Sequence, residues 1–112
     1  MTAEPLDRVR ESLLAMDGVT ERQSHGEPSW FYRDKRQIAT WAGYHHDDRL
    51  AMWCAAPPGV QETLVASEPE HYFRPPYVGH RGWVGVFFDV EPDWETVGRL
   101  LADAYALTAS KR

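Results

Sequence analysis

Leu6, Val9, Leu13 and Met16 recur at helical spacing near the start of the chain, with Asp7, Arg8, Arg10, Glu11 and Ser12 on the other side. This pattern predicts an amphipathic first helix behind Pro5, stopped at "DGV", where Gly18 takes a left-handed conformation that other residues resist. "VTERQ" reads as a short strand and "SHGEPS" as a turn-rich link. "WFYR" and "QIATWAG", aromatic and β-branched, predict two strands of a hairpin with the polar tip "DKR". "YHHDD" reads as the next turn. "RLAMWCAA" is apolar on both faces, which predicts a central strand. Val60, Leu64 and Val65 then mark one side of a short second helix that starts after Pro57 and Pro58 and ends at Pro69. Pro75 and Pro76 keep "YFRPPYVG" extended, and "WVGVFFDV" predicts a further strand. The last helix falls in "EPDWETVGRLLADAYALTA", capped by Asp93, with Trp94, Val97, Leu101 and Ala104 on one face and Leu100 and Leu107 beside it.

The predicted order is α-β-β-β-β-α-β-α. Strands joined by short turns pair antiparallel, and helices at the start, middle and end cover one face of the sheet. The fold class is therefore α+β, a two-layer sandwich. Residues 1–112 read as a single domain, long enough to bury one core and free of repeats, low-complexity tracts and linkers.

Composition narrows the function. The formal net charge is -5, and the lysines are only Lys35 and Lys111. Proteins that hold duplex nucleic acid usually neutralise several phosphates, so any nucleic-acid contact here has to be local. The excess of arginine over lysine suits planar, bidentate contacts to one anionic or aromatic group. The single cysteine, Cys54, forms no internal disulfide, and no CxxC or Cys/His set suggests zinc, so no metal or cofactor is expected. No apolar run reaches the ~20 residues of a membrane span. The N-terminus lacks the basic-then-apolar order of a signal peptide, and the expected location is the cytoplasm, with no membrane partner.

The densest chemistry lies in "HYFRPPYVGHRGWVGVFFDV", residues 71–90. Arg74, His80 and Arg81 supply donors, while Tyr72, Phe73, Tyr77 and Trp83 supply flat faces, the combination that stacks and clamps an unpaired base or another planar anion. The competing reading is an aromatic-proline corner that pins a loop onto the sheet. On the ligand reading, the polar loop tip "GHRG" is the part expected to be functional, because exposed loops host binding more often than cores do. Gly79 and Gly82 serve backbone geometry and form no phosphate-binding loop. Trp30, Tyr32, Trp41 and Trp53 are too bulky to share one core layer, which predicts that some of them line an aromatic concavity on the open face beside Arg81. Left bare, that face would expose a large apolar patch.

Catalytic constellations are weaker. His45 to Asp48 and the pair His25 and Glu27 read as solvated turns, because adjacent turn residues seldom converge on a metal. Cys54 sits in a buried strand without a partner histidine. Glu62, Glu68 and Glu70 read as a solvated face. The chain is therefore expected not to be an enzyme.

The runs "PPYVGHRGWVGVFFD" and "DWETVGRLLADAYALTASKR", preceded in order by "IATW", "RLAMWCA" and "SEPEHYF", resemble the MmcQ/YjbR family over nearly the whole chain. The resemblance implies a secretion-chaperone-like α+β sandwich, a double-wing arrangement similar to CyaY-like sheets, and a DNA-binding label. The chain departs from the family pattern in lacking the usual Gly-Lys turn, where Lys35 or Arg36 stands in, and the strand lysine, which "AMWCAA" does not replace. Three readings follow: a DNA-associated protein using Lys35, Arg36, Arg74 and Arg81; a protein that binds a small planar or anionic ligand among Trp41, Trp53, Tyr77, His80, Arg81 and Trp83; and a module that dimerises through its open sheet.

Overall fold

A computed structural model describes residues 4–43 and 49–110. Along the chain run α1 (Pro5–Leu14), β1 (Val19–Ser24), β2 (Glu27–Tyr32), β3 (Arg36–Gly43), β4 (Leu50–Cys54), α2 (Val60–Ser67), β5 (Tyr72–Phe73), a single 3-10 turn (Gly79–Arg81), β6 (Val84–Phe87) and α3 (Trp94–Ala109). The strands form one antiparallel sheet in the order β1-β2-β3-β4-β6-β5. This is the α+β sandwich expected from the periodicities, with one strand more. Tyr72 and Phe73 pair with Val86 and Gly85, and so short a strand leaves no alternation to read.

Local chemistry explains most boundaries. The Asp93 carboxylate accepts from the backbone N–H groups of Glu95 and Thr96 and from the Thr96 hydroxyl at 2.9 Å, which fixes the start of α3. Between β1 and β2, "SHGEPS" is a tight hairpin: Ser24 pairs with Glu27 across His25 and Gly26, whose φ angles are 54° and 82°. Two successive positive φ values give the mirror-image turn whose twist suits paired strands.

The register sorts the side chains onto two faces. Trp30, Trp41, Met52, Cys54, Val84 and Val86 point to the helices, each no more than 5% exposed. There Phe88 stacks between Trp41 and Trp94 of α3, with ring centroids 5.3 and 5.5 Å away. The Tyr32 ring meets Tyr105 edge-on, and Arg10 of α1 and the Trp30 indole both donate to Glu21. The opposite face carries Ser29, Phe31, Thr40, Trp53, Gly85 and Phe87. Between Trp30 and Phe31 the register shifts: Trp30 pairs with Ala39 but Phe31 with Gln37, leaving Ile38 as the extra residue of a bulge. Without it Gln37 would share the helix side with Ala39 and Trp41; the bulge returns Gln37 to the open face.

Candidate ligand-binding site

The open face is built from rings. Phe73 lies flat across Gly85 and stacks on Phe87, centroids 4.4 Å apart. Only glycine admits this, because a Cβ at residue 85 would clash with the face of the Phe73 ring. Arg49 covers the Phe87 ring at 3.4 Å and is itself clamped by both Asp89 oxygens at 2.8 Å. That hydrogen-bonded guanidinium holds the Asp89 carboxyl below the usual carboxylate range. Across the sheet Arg22 covers Phe31 at 3.9 Å and pairs with Asp34 at 3.4 Å.

Between these closed ends lie two recesses. The first, about 380 Å³, is lined by Trp53, Trp83, Tyr77, Thr40 and Gln37, with the β1–β2 hairpin at its rim. Tyr77 is 74% exposed and holds φ at 67°, an uncommon conformation for an aromatic residue and one that clusters at functional sites. The second recess, about 510 Å³, is lined by Lys35, Arg36, Gln37, Arg81, Trp83 and the end of α3, with no carboxylate among its lining residues. Gln37 and Trp83 stand in both walls. Arg81 lies 5.5 Å from the Trp83 ring centroid. Unlike Arg22 and Arg49, neither Arg81 nor Lys35 has a carboxylate within ion-pair distance among the described residues. Arg36 is partly committed, donating to the Thr108 carbonyl at 3.2 Å near the end of α3.

The loop carrying Arg81 is held from α2. The buried Gln61 amide donates to the Gly79 carbonyl at 2.8 Å and to the Trp83 carbonyl at 2.5 Å, one at each end of the 3-10 turn. Gly82, at φ 87°, closes that turn in the left-handed region and directs the chain into β6.

The residues picked from the sequence thus divide. Trp53, Tyr77 and Trp83 meet in the first recess, and Lys35, Arg36 and Arg81 in the second. Trp41 borders the first recess, but its ring is stacked on Phe88 beneath the helices, so the large stacking surface expected of it in a concavity is already spent. Trp30 and Tyr32 also face the helices, and the covered side holds all three. Arg74 packs its side chain over Gly79, and the exposed His80 lines neither recess. His45 to Asp48 lie outside the described residues.

Three contributors escaped the sequence reading: Gln37, Thr40 and Gln61. Gln61 left a signal, since it shares a helical side with Leu64 and Val65, where a polar residue asks for a buried partner. Among the described residues this face is not left bare: Phe31, Trp53 and Phe87 are at most 8% exposed under their own neighbours. Self-association therefore loses the argument from exposed area. No group of three or more His, Cys, Asp or Glu side chains among the described residues is placed to hold a metal. Burial pushes the Cys54 thiol up to about 12, which leaves it unreactive at neutral pH. Among the described residues no helix is long and apolar enough to cross a membrane.

Comparison with known proteins places these features in context. The YjbR family model matches residues 14–107. The crystal structure of Deinococcus radiodurans protein DR2400, with the family-model domain DUF419, superposes with a TM-score of 0.79 at 22% identity, covering 95% of this chain and 79% of that one. At that identity the likeness is one of fold. No curated protein matches the chain.

Proposed function

Since the chain belongs to the YjbR family, we propose that it is a non-enzymatic binding protein for an unstacked planar ring carrying an anionic group, the chemistry offered by an unpaired nucleotide. The ring lies against Tyr77 over the buried edges of Trp53 and Trp83, and the anion meets Arg81 and Lys35. A nucleotide in single-stranded DNA and a free small planar anion share this chemistry. The observation that carries the reading is the Arg81 guanidinium beside the Trp83 ring without a carboxylate, where the recesses adjoin. Stacking on the exposed Tyr77 ring accommodates any base, and a guanidinium without a carboxylate partner among the described residues favours an anion. Duplex DNA fits poorly, because a net charge of -5 and so few local cations leave little counterion release to drive binding.

Tryptophan fluorescence tests this with a single-stranded oligonucleotide, its duplex and a mononucleotide as separate titrants. Quenching by the oligonucleotide or the mononucleotide is expected, with the duplex silent. If single strands are the source, the logarithm of affinity falls with the logarithm of salt by about 0.7 per cation engaged. Arg81→Ala is expected to weaken binding about tenfold, the worth of one hydrogen bond to a charged group. Unchanged affinity in Arg81→Ala, or quenching by the duplex alone, rejects the reading.

A further inference from the structure

Gln37 is the half-buried polar side chain common to both recesses, and its carboxamide makes no hydrogen bond among the described residues. Its neighbours are committed. The Thr40 hydroxyl is 2.7 Å from that of Ser29, and Glu27 accepts from the Gly43 amide at 2.9 Å. Gln37 is on this face only because of the bulge at Ile38; in unbroken alternation it would join Trp41 beneath the helices. A bulge that re-aims one uncommitted amide into a recess is the usual device by which a sheet presents a polar group to a ligand.

We infer that the Gln37 carboxamide reads the edge of the bound ring, so that the site takes a heteroaromatic ring with a hydrogen-bond donor and an acceptor on adjacent atoms, as nucleobases have. This deepens the planar-anion reading and rests on it. A primary amide donates through nitrogen and accepts through oxygen in one plane, which matches such an edge bidentately. Because the amide can turn over, it accepts the edge in either order. It therefore discriminates weakly among bases and strongly against rings that lack the pair. Thr40, with its hydroxyl engaged, supplies shape, and the anion stays with Arg81 and Lys35.

The test compares adenosine 5′-monophosphate with purine riboside 5′-monophosphate, which keeps ring system, sugar and phosphate but lacks the exocyclic amine. Isothermal titration calorimetry of the full chain is expected to show about a tenfold preference for the adenosine compound, the scale of a matched amide–base edge. Gln37→Met, similar in volume, is expected to bind both probes equally, at the level of the weaker one. Gln37→Glu still accepts from the amine, so it keeps the direction of preference while weakening both probes by repulsion of the phosphate. Arg81→Ala weakens both by the same factor and leaves their ratio intact. A preference that survives in Gln37→Met, or equal binding by the unmodified chain, overturns the role of Gln37 while leaving the planar-anion reading standing. Absence of binding by both probes at millimolar concentration overturns the role of Gln37, and the planar-anion reading falls with it when the single-stranded oligonucleotide is silent too.

Discussion

The two faces of this sheet are made from the same strands by alternation, broken at the Ile38 bulge, yet they are finished differently. Beneath the helices, Trp30, Met52, Val84 and Val86 are sealed by other apolar side chains, and the few polar groups there are paired, as in the Trp30 indole to Glu21 contact. On the other face the covers are guanidinium groups lying on rings. Two of these covers, Arg22 on Phe31 and Arg49 on Phe87, are neutralised by Asp34 and Asp89. The third, Arg81 beside Trp83, has no such partner among the described residues and adjoins two recesses. On this face the arginine–ring pairs that carry a carboxylate are closed off, and the one at Trp83 leaves its guanidinium without an acid partner among the described residues. The difference between the two closed ends and the proposed site is one missing acid.

The comparison breaks most sharply at Gly85. If the open face is packed as tightly as the covered one, Gly85→Ala drives a methyl group into the Phe73 ring and is expected to cost about 3 kcal/mol, the upper end for overpacking. Chemical denaturation measures it. A loss below about 0.5 kcal/mol, typical of surface changes, means that the Phe73–Phe87 stack is loose and that this face is wet.

Gln61→Leu sharpens the contrast at the loop. It strips the donor from two buried carbonyls at the ends of the 3-10 turn, and the expected loss is about 2 kcal/mol. Affinity for the planar anion falls as well, although Gln61 lines neither recess. Stability lost with affinity intact shows that Arg81 does not depend on this support.

Why Gln61 and Gln37 stayed hidden while α3 did not is a matter of range. Asp93 caps its own helix within three residues, and the apolar stripe from Val97 to Ala104 repeats inside one element, so both are written locally. The partners of Gln61 lie 18 and 22 residues away. Gln37 owes its face to a bulge, which an alternation pattern does not announce, and β5 exists only because β6 offers it an edge across Gly85. Trp41 and Trp53 illustrate the same limit. Each tryptophan sits among apolar neighbours in its strand, so residue type alone did not separate the tryptophan under the helices from the one at the recess. Lys35, Arg36 and Arg81 were legible as a set because cations cluster visibly in turns; what the sequence hid was that Arg22 and Arg49 already have acids and Arg81 does not.

The closed ends make a pH-dependent prediction. Asp89 titrates below its ordinary range because Arg49 donates to it. Its folded-state pKa is thus below its unfolded value, and the stabilisation is present above the ordinary carboxylate range and lost as pH falls through the folded pKa. Asp89→Asn is expected to cost about 1 kcal/mol at neutral pH, the scale of a well-formed surface pair. The gap in melting temperature between the two proteins then closes in acid, with ligand affinity unchanged throughout. A gap that stays constant with pH assigns the loss to shape and not to the ion pair.

The smallest effect uses the same substitution as the largest, with the opposite sign. Gly98 lies on the exposed side of α3, at an ordinary helical φ, and a Cβ there meets nothing within 4 Å. Alanine loses less backbone freedom than glycine on entering a helix, so Gly98→Ala is expected to stabilise by about 0.5–1 kcal/mol. Gly85 and Gly98 are thereby two readings of one residue type. At Gly85 the missing side chain makes room for a ring, and adding a methyl group is harmful; at Gly98 it makes room for nothing, and adding one helps. Thermal melting of both variants under one condition settles the contrast. A loss at Gly98 would show that the shallow recess of about 310 Å³ between α1 and α3, where Arg8 lies 3.9 Å over Trp94, needs the glycine after all.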